Sequence, residues 1–583
     1  MLKNNFQFYF VCCLLLLCFS CNSIAHKTII ISTKESINAA IKKMLPGDTL
    51  LLHAGVYRQN IEIENSGEED LPIVIQAFPG EKVVLSGTRE IKNWIKVKDN
   101  YYKAFCAEPI LQLFHNRKML MPARWPNIDS MFDKKGWVDI HTGKDSAQFT
   151  GYSWPKNYWN GAFCFAIAGE KWVVNVERVK SNNDSVLKLS GPWFNHRSGY
   201  YTGKGKGYII KHLNALDTIN EWHWQNDTVY AMLAEDPEKT GGIEGQVKTV
   251  LINAENISDV VVKNISVFGG RIAVLNSENI IFDNVDVSFG TLPKSYEYSN
   301  SCTYAAVSFN GESKNCVLKN SVIKGNWSGG VYLSGEGNVV YNCEVSDCNW
   351  MGNGSAAVGT DGKDHVIMNC DLFNSGKFLV THSYTENLSV KYNHLYNGGY
   401  LGNDLGMTYA YRTRARGSEI AYNWIHDNHA ENAGVGIYID VECHDFLIHH
   451  NVIWNCSNGI QTIMNAFDHQ LYNNTVWNCT KAINFNGAMG SNMYNQRVYN
   501  NLANDVFNPG LGDVRYNLTV GLTQFIDWEN HDFRLVKNAK AIDYGTYIEG
   551  ITKSFTGAKP DAGAYEFGEV WVPGYDSTCV YAD

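Results

Sequence analysis

The chain has 583 residues, enough for several domains, with 49 basic against 59 acidic side chains and a formal net charge of -10. No basic run interrupts that acidic balance, so nucleic acid and anionic membrane surfaces are poor partners. The 32 tyrosines and 16 tryptophans offer flat apolar faces that suit sugar rings, and serve equally well as core residues.

The N-terminus reads MLKNNFQFYFVCCLLLLCFSC. One lysine precedes an apolar run of about a dozen residues, the pattern of an export signal and too short to span a bilayer. Cys21 follows the small residue Ser20, as a lipidated cysteine would, although Cys18 stands where the lipoprotein pattern usually has leucine. Cleavage after Ala25 is the rival reading. Both place the mature chain outside the cytoplasm, in the periplasm or on the outer membrane of a Gram-negative bacterium, with a lipid anchor at residues 1–21 as the membrane contact. Four of the 15 cysteines lie in this segment, and the rest show no CxxC pair and no Cys/His spacing suited to zinc.

Residues 28–106 read as a cap followed by the first coils of a repeat. Ser32 and Glu35 have the spacing of a capping box, and Ile37, Ala40, Ile41 and Met44 fall on one helical face. A helix here would plug an open end of stacked strands, whose bare edge would otherwise template aggregation. Residues 107–248 lose the repeat and hold eight tryptophans; alternating segments such as KWVVNVERV and DTVYAML predict an antiparallel β subdomain that walls a cleft.

Residues 249–520 repeat one phrase ten times: a β-rich tetrapeptide, then asparagine, then alternating residues closed by Asn, Asp or Gly. The aligned asparagines are Asn264, Asn284, Asn320, Asn342, Asn369, Asn393, Asn423, Asn451, Asn474 and Asn501, spaced about 20 to 30 residues apart. That period suits one coil of a parallel β-helix. Asparagine tolerates a left-handed corner, and its amide can donate and accept along a column. Cys316, Cys343, Cys370, Cys456 and Cys479 recur in the same repeat and read as small hydrophobes stacked inside it. Residues 521–583, rich in glycine and proline near the end, predict a tail running back along the coil. The fold class expected is all-β: a right-handed parallel β-helix with an inserted antiparallel β subdomain and an N-terminal capping helix.

Stacked strands lie about 4.8 Å apart with alternate side chains outward, so carboxylates far apart in sequence can share a face. The strands NDLGMTY and GVGIYIDVE stand out. Aligning Tyr409 with Tyr438 puts Asp404 at a strand entrance and Asp440 near the next strand's exit, about 5 to 10 Å apart. A crowded pair would raise one pKa and give an acid and a base or nucleophile; the plain alternative is a turn cap and a solvated strand end. Asp361 and His382 extend the same face, with Tyr409, Tyr438, Glu442 and Arg412 as further substrate contacts. Arg412 could equally be a solvated residue paired with Glu442. The pattern calls for no cofactor; a calcium ion on Asp361, Asp440 and Glu442 stays open.

Several segments together carry a family resemblance. GDTLLLHAGVYRQNIEI with PIVIQAFPGEKVVLSG, LFHNRKMLMPARWPN, LNALDTINEWHWQNDTVYAML, NDLGMTYAY and GVGIYIDVECHDFLIHHNVIWN resemble glycoside hydrolase family 141 and related right-handed β-helix carbohydrate-active enzymes, over most of residues 28 to 570. The resemblance implies glycosidic-bond hydrolysis by coil-face carboxylates, which by position are Asp404 and Asp440. Around them this chain reads Asp-Leu-Gly-Met and Asp-Val-Glu-Cys, where many relatives have Asp-Thr-Gly-Gly or Asp-Asn. The expectation is a monomeric hydrolase of a plant or algal polysaccharide or its oligosaccharides. A polysaccharide lyase acting on a uronate-containing glycan and a non-catalytic glycan-binding protein are the alternatives.

Overall fold

The computed structural model describes residues 26–193, 196–293, 304–487, 493–504 and 512–578. The expected signal and lipidation site at Cys21 lie outside them.

Parallel strands wind into a coil with three faces. Two faces join in one 25-stranded network, and the third is a separate parallel sheet of 11 strands running from Ile61–Ile63 to Lys481–Asn486. Each rung pairs with the next in register, so identical positions form columns. On the third face Val307, Val331, Val358 and Val380 form one such column, continued by Thr408, Ile437, Ile460 and Ile483. All point inward and are buried. Burying such an aliphatic side chain contributes about 1.5–3 kcal/mol, and repetition along the axis makes this column a large part of the core.

The asparagine corner is two columns, offset by one residue. Asn264, Asn284, Asn320, Asn342 and Asn369 take left-handed backbones at the corner itself, with φ of 59°, 52°, 53°, 49° and 54°. From the next rung on, Tyr392, Tyr422 and His450 occupy that corner, followed by Asn473 and Asn500. Asn393, Asn423, Asn451, Asn474 and Asn501 stand one residue later, buried inside the turn. There each amide donates to the next rung's side-chain oxygen: Asn423 to Asn451 at 2.9 Å, Asn451 to Asn474 at 3.0 Å and Asn474 to Asn501 at 2.9 Å. The single expected ladder is therefore corrected to an outer column of corner residues and an inner hydrogen-bonded one. Earlier in the chain Cys343 and Cys370 fill the inner column, one rung from Asn393.

The helix Ile37–Ile41 closes the N-terminal end with Ile37, Ala40 and Ile41 buried. Its N-cap is Ser36, whose side chain accepts from the Ala39 amide at 3.2 Å. Ser32 and Glu35 do bond to each other, but in the turn before the helix.

Between Ser86 and Val250 the chain leaves the coil to build two layers, antiparallel except where Lys118–Pro122 runs parallel to Glu221–Gln225. One is an eight-stranded sheet. In the other, six strands pair in a ring that closes where Phe163–Ala168 meets Gly203–Ile210. This barrel docks on the coil through Trp137, Val174, Tyr208, Trp327, Trp350 and Leu401. The C-terminal segment turns back along the coil: Asn500 accepts from the Thr546 amide, Trp424 donates to the Tyr565 hydroxyl, and Asn342 accepts from the Asp576 amide.

Candidate active site

The strands Leu405–Ala410 and Gly434–Ile439 are neighbours on the third face, with Tyr409 opposite Tyr438. Asp404 enters the first strand in a left-handed conformation, φ 49°. Asp440 directly follows the second strand. The two tyrosines cross over: Tyr438 donates its hydroxyl to Asp404 Oδ1 at 3.0 Å, and Tyr409 donates to Asp440 Oδ2 at 2.7 Å. The four side chains form one connected group, with the tyrosine rings edge-on at 5.5 Å.

Burial dominates its electrostatics. Desolvation raises the pKa of both carboxyls, and the tyrosine hydroxyls partly oppose it by stabilising the charged forms. The charge of Asp404 pushes Asp440 further up, whereas the nearby Lys377 ammonium pulls Asp404 down. Two carboxyls with unequal surroundings can hold different protonation states at one pH, which acid–base chemistry requires.

The outward column through Tyr409 also contains Tyr332, Gly359, Thr381, Gln461 and Asn484. Tyr332 donates to Asp361 Oδ2 at 2.6 Å, reproducing three coils away the bond from Tyr409 to Asp440. Phe378 stacks on Tyr409 at 4.7 Å, and the Lys377 ammonium lies 4.3 Å over the Phe378 ring. Tyr332, Lys377, Phe378, Thr381, Gln461 and Asn484 were not singled out from sequence. For Tyr332, Thr381, Gln461 and Asn484 the signal was available, since they stand in register with Tyr409 and Tyr438; Lys377 and Phe378 are consecutive and cannot both follow a two-residue alternation.

His382 does not belong to this face. Thr381 points outward, so its neighbour turns into the coil, where the His382 ring lies 5.5 Å from Phe446 and both ring nitrogens are buried without a partner. Burial holds its pKa down to about 3. The substrate contact expected of His382 is corrected to a core position. Arg412 and Glu442 sit beyond the strand end as an ion pair of 3.2 Å, with about half of each side chain exposed: 51% and 51%. Such a pair contributes about 0–1 kcal/mol. Asp361, Asp440 and Glu442 bind different partners and do not form one ligand set, and among the described residues no group of three or more His, Cys, Asp or Glu is arranged to hold a metal ion.

The barrel walls the end of the face where Asp404 enters. The Asn403 amide donates to the Lys171 carbonyl at 2.9 Å, and a pocket of about 80 Å³ opens there among Lys134, Trp137, Lys171, Lys206, Tyr400 and Asn403. Arg124 is buried inside the inserted layers. It lies 3.8 Å over the Tyr208 ring and donates to the carbonyls of Pro126 and Gly136. Trp125 packs among Tyr152, Trp154 and Trp159. His426 occupies another face, its Nε2 2.8 Å from that of His394.

Comparison with known proteins places these features on a recognised scaffold. Residues 305–476 match the family model described as "Right handed beta helix region", and residues 31–119 match that of "Chondroitinase B". No curated protein sequence matches the chain. Among solved structures, one described as "Glycoside hydrolase" is similar over 80% of this chain and 97% of its own, at 13% identity and a TM-score of 0.61. The complex structure of XylC with xylose is similar over 84% of this chain and 76% of its own, at 13% identity and a TM-score of 0.47. A PL6 family polysaccharide lyase from Pseudopedobacter saltans is similar over 88% and 97%, at 11% identity and a TM-score of 0.43. The region 305–476 carries Asp361, Asp404 and Asp440, so the three carboxyls lie within the segment that matches the right-handed β-helix model.

Proposed function

We propose that the protein is a carbohydrate-active enzyme that hydrolyses a glycosidic bond, with Asp404 and Asp440 as its two carboxyls. The observation that carries this reading is the crossed hydrogen bonding of the pair: two carboxyls on adjacent coils, both raised by burial, each held by a tyrosine of the other's strand. One carboxyl protonates the departing glycosidic oxygen. The other stabilises the oxocarbenium-like transition state, as nucleophile or through a water it activates. Tyr409, the partly exposed tyrosine of the group, offers its ring to the sugar, backed by the buried Phe378 and Tyr438, and the pocket beside Asn403 takes the adjoining sugar. A polysaccharide is the fitting substrate, because that pocket lies directly beside Asp404 and gives a second sugar unit its place.

The test is turnover on plant and algal polysaccharides. General acid or base assistance is worth roughly 10²–10⁴-fold, so Asp404→Asn and Asp440→Asn should each cut release of reducing ends by about a hundredfold or more with the thermal transition retained. Near-normal activity in both variants would make the pair structural.

β-Elimination is the second reading. It is favoured by the match of residues 31–119 to a lyase family model and by Lys377, a basic group beside Asp404. Elimination leaves an unsaturated uronate that absorbs in the ultraviolet, whereas hydrolysis leaves none. Absorbance growing in step with reducing ends would replace the first reading with this one.

A further inference from the structure

The barrel and the eight-stranded sheet meet in a second cleft of about 470 Å³, to which no coil residue contributes. Its lining carries the cations Arg178 and Lys211 beside His212 and His223, whose pKa values burial lowers, and no carboxylate. In a chain of net charge -10 that is a marked local reversal. No ion pair among the described residues involves Arg178 or Lys211, so neither charge is neutralised by the protein. Lys211 is held in a left-handed conformation, φ 60°, by its amide's bond to the Ala123 carbonyl at 2.8 Å. Such a backbone is uncommon for residues other than Gly, Asn and Asp.

The cleft also has the apolar surfaces that a sugar needs. The Trp224 indole is fixed by its bond to the Cys106 carbonyl at 2.9 Å, and the Phe163 ring lies 6.0 Å from the Arg178 guanidinium. Aromatic faces, amide groups and unpaired cations together suit a sugar ring with an anionic substituent. A bare phosphate would not use the rings, and a neutral sugar would leave the cations unanswered. Burial without a compensating carboxylate also pulls the Lys211 ammonium down to about 8 and His223 down to about 4, shifts that a bound anion would reverse.

The position of the cleft gives it a use. Ile167 pairs with Lys206 next to the pocket at Asn403, and four residues along the same strand Phe163 pairs with Ile210 beside Lys211. Four strand residues span roughly 14 Å, short enough for one glycan to touch both.

We propose that this cleft is a second saccharide site, selective for a sugar bearing an anionic group, either a uronate carboxylate or a sulfate ester. It stands independently of which bond the coil face breaks.

Calorimetric titration of the full chain tests it, using Asp404→Asn to prevent turnover and wild type as control. The ligands are a galacturonate oligosaccharide, a sulfated galactan oligosaccharide, a neutral xylo-oligosaccharide and inorganic sulfate. At least one acidic oligosaccharide should bind tenfold or more tighter than the neutral one, and which of the two does so identifies the anionic group. Lys211→Met and Arg178→Ala should each weaken that binding by roughly tenfold to a hundredfold, the worth of a charged hydrogen bond, while Lys211→Arg retains most of it. Binding to wild type should also weaken steeply with added salt, a readout that needs no variant to fold. Equal affinity for neutral and acidic oligosaccharides would overturn the proposal, as would binding indifferent to both substitutions and to salt. Sulfate binding as tightly as the best oligosaccharide would make the cleft an inorganic-anion site instead.

Discussion

Tyr409 and Tyr438 each donate a hydrogen bond to a carboxyl that burial pushes toward its neutral form, and that opposition sets the pH behaviour of the pair. Removing a donor takes away the largest interaction that opposes desolvation, so the pKa of its partner rises further. A hydrogen bond to a charged group is worth about 1.5–3 kcal/mol, equivalent to about one to two pKa units. Tyr409→Phe should move the titration of Asp440 upward, and Tyr438→Phe that of Asp404. If that carboxyl acts ionised, the acid limb of kcat/KM shifts to higher pH; if it acts protonated, the alkaline limb does. The two variants should move opposite limbs, which assigns the acid. Unmoved profiles in both would show that the hydroxyls do not govern the reacting carboxyls. His382 makes the contrasting case. Its folded pKa of about 3 lies below the ordinary imidazole value of 6.5, so the unfolded chain binds the proton first. The stability it permits is whole above pH 6.5 and declines as pH falls toward 3. His382→Leu should leave activity unchanged and flatten that acid loss, seen in melting temperature against pH. A fall in turnover at constant stability would return His382 to the site.

At the scale of the element, the inner asparagine column and the outer corner differ in what they hold. Asn451 accepts from the Asn423 backbone and side chain and donates to the Ile420 carbonyl, all buried. Truncation strands several of these groups at about 1–3 kcal/mol each. Asn451→Ala should therefore cost about 2–5 kcal/mol, whereas Asn369→Gly, which keeps a left-handed corner, should cost under about 1 kcal/mol. Equal losses in chemical denaturation would mean the two columns are energetically alike. The offset between these columns explains how far sequence could go. Asparagine is favoured both at a left-handed corner and as a ladder amide, so Asn369 and Asn393 look equivalent although Tyr392 holds the corner beside the second. Tyr409 and Tyr438, in contrast, could be aligned from sequence because both strands repeat glycine and hydrophobic residues in step. His382 misled because it follows the last residue of a short strand, where counting by two from Thr381 sends it inward.

Across the whole molecule, the coil was readable because its pairing partners recur at a nearly constant period, while of the inserted layers only the antiparallel character was readable and not the closure. Phe163–Ala168 pairs with Gly203–Ile210 across a span with no repeated phrase, so its closure, and with it the cleft at Lys211, has no local signature. The docking of that barrel on the coil rests on a few large side chains. Trp350 packs edge-on to Trp327 at 5.7 Å, and Trp327 donates to Gln112 at 3.0 Å, tying the coil to the inserted layers. From the same corner the chain reaches Gly352, whose carbonyl accepts from Val174 in the barrel. Trp350→Ala removes a buried indole and should cost about 3–5 kcal/mol. The loss should fall on the docking rather than on the coil, because each coil is held by its own neighbours. Limited proteolysis should then cut first within residues 107–248, and kcat/KM on polymer should fall with the lost wall beside Asp404. The two readouts must move together: proteolysis confined to the barrel with unchanged turnover would show that the coil face works without it.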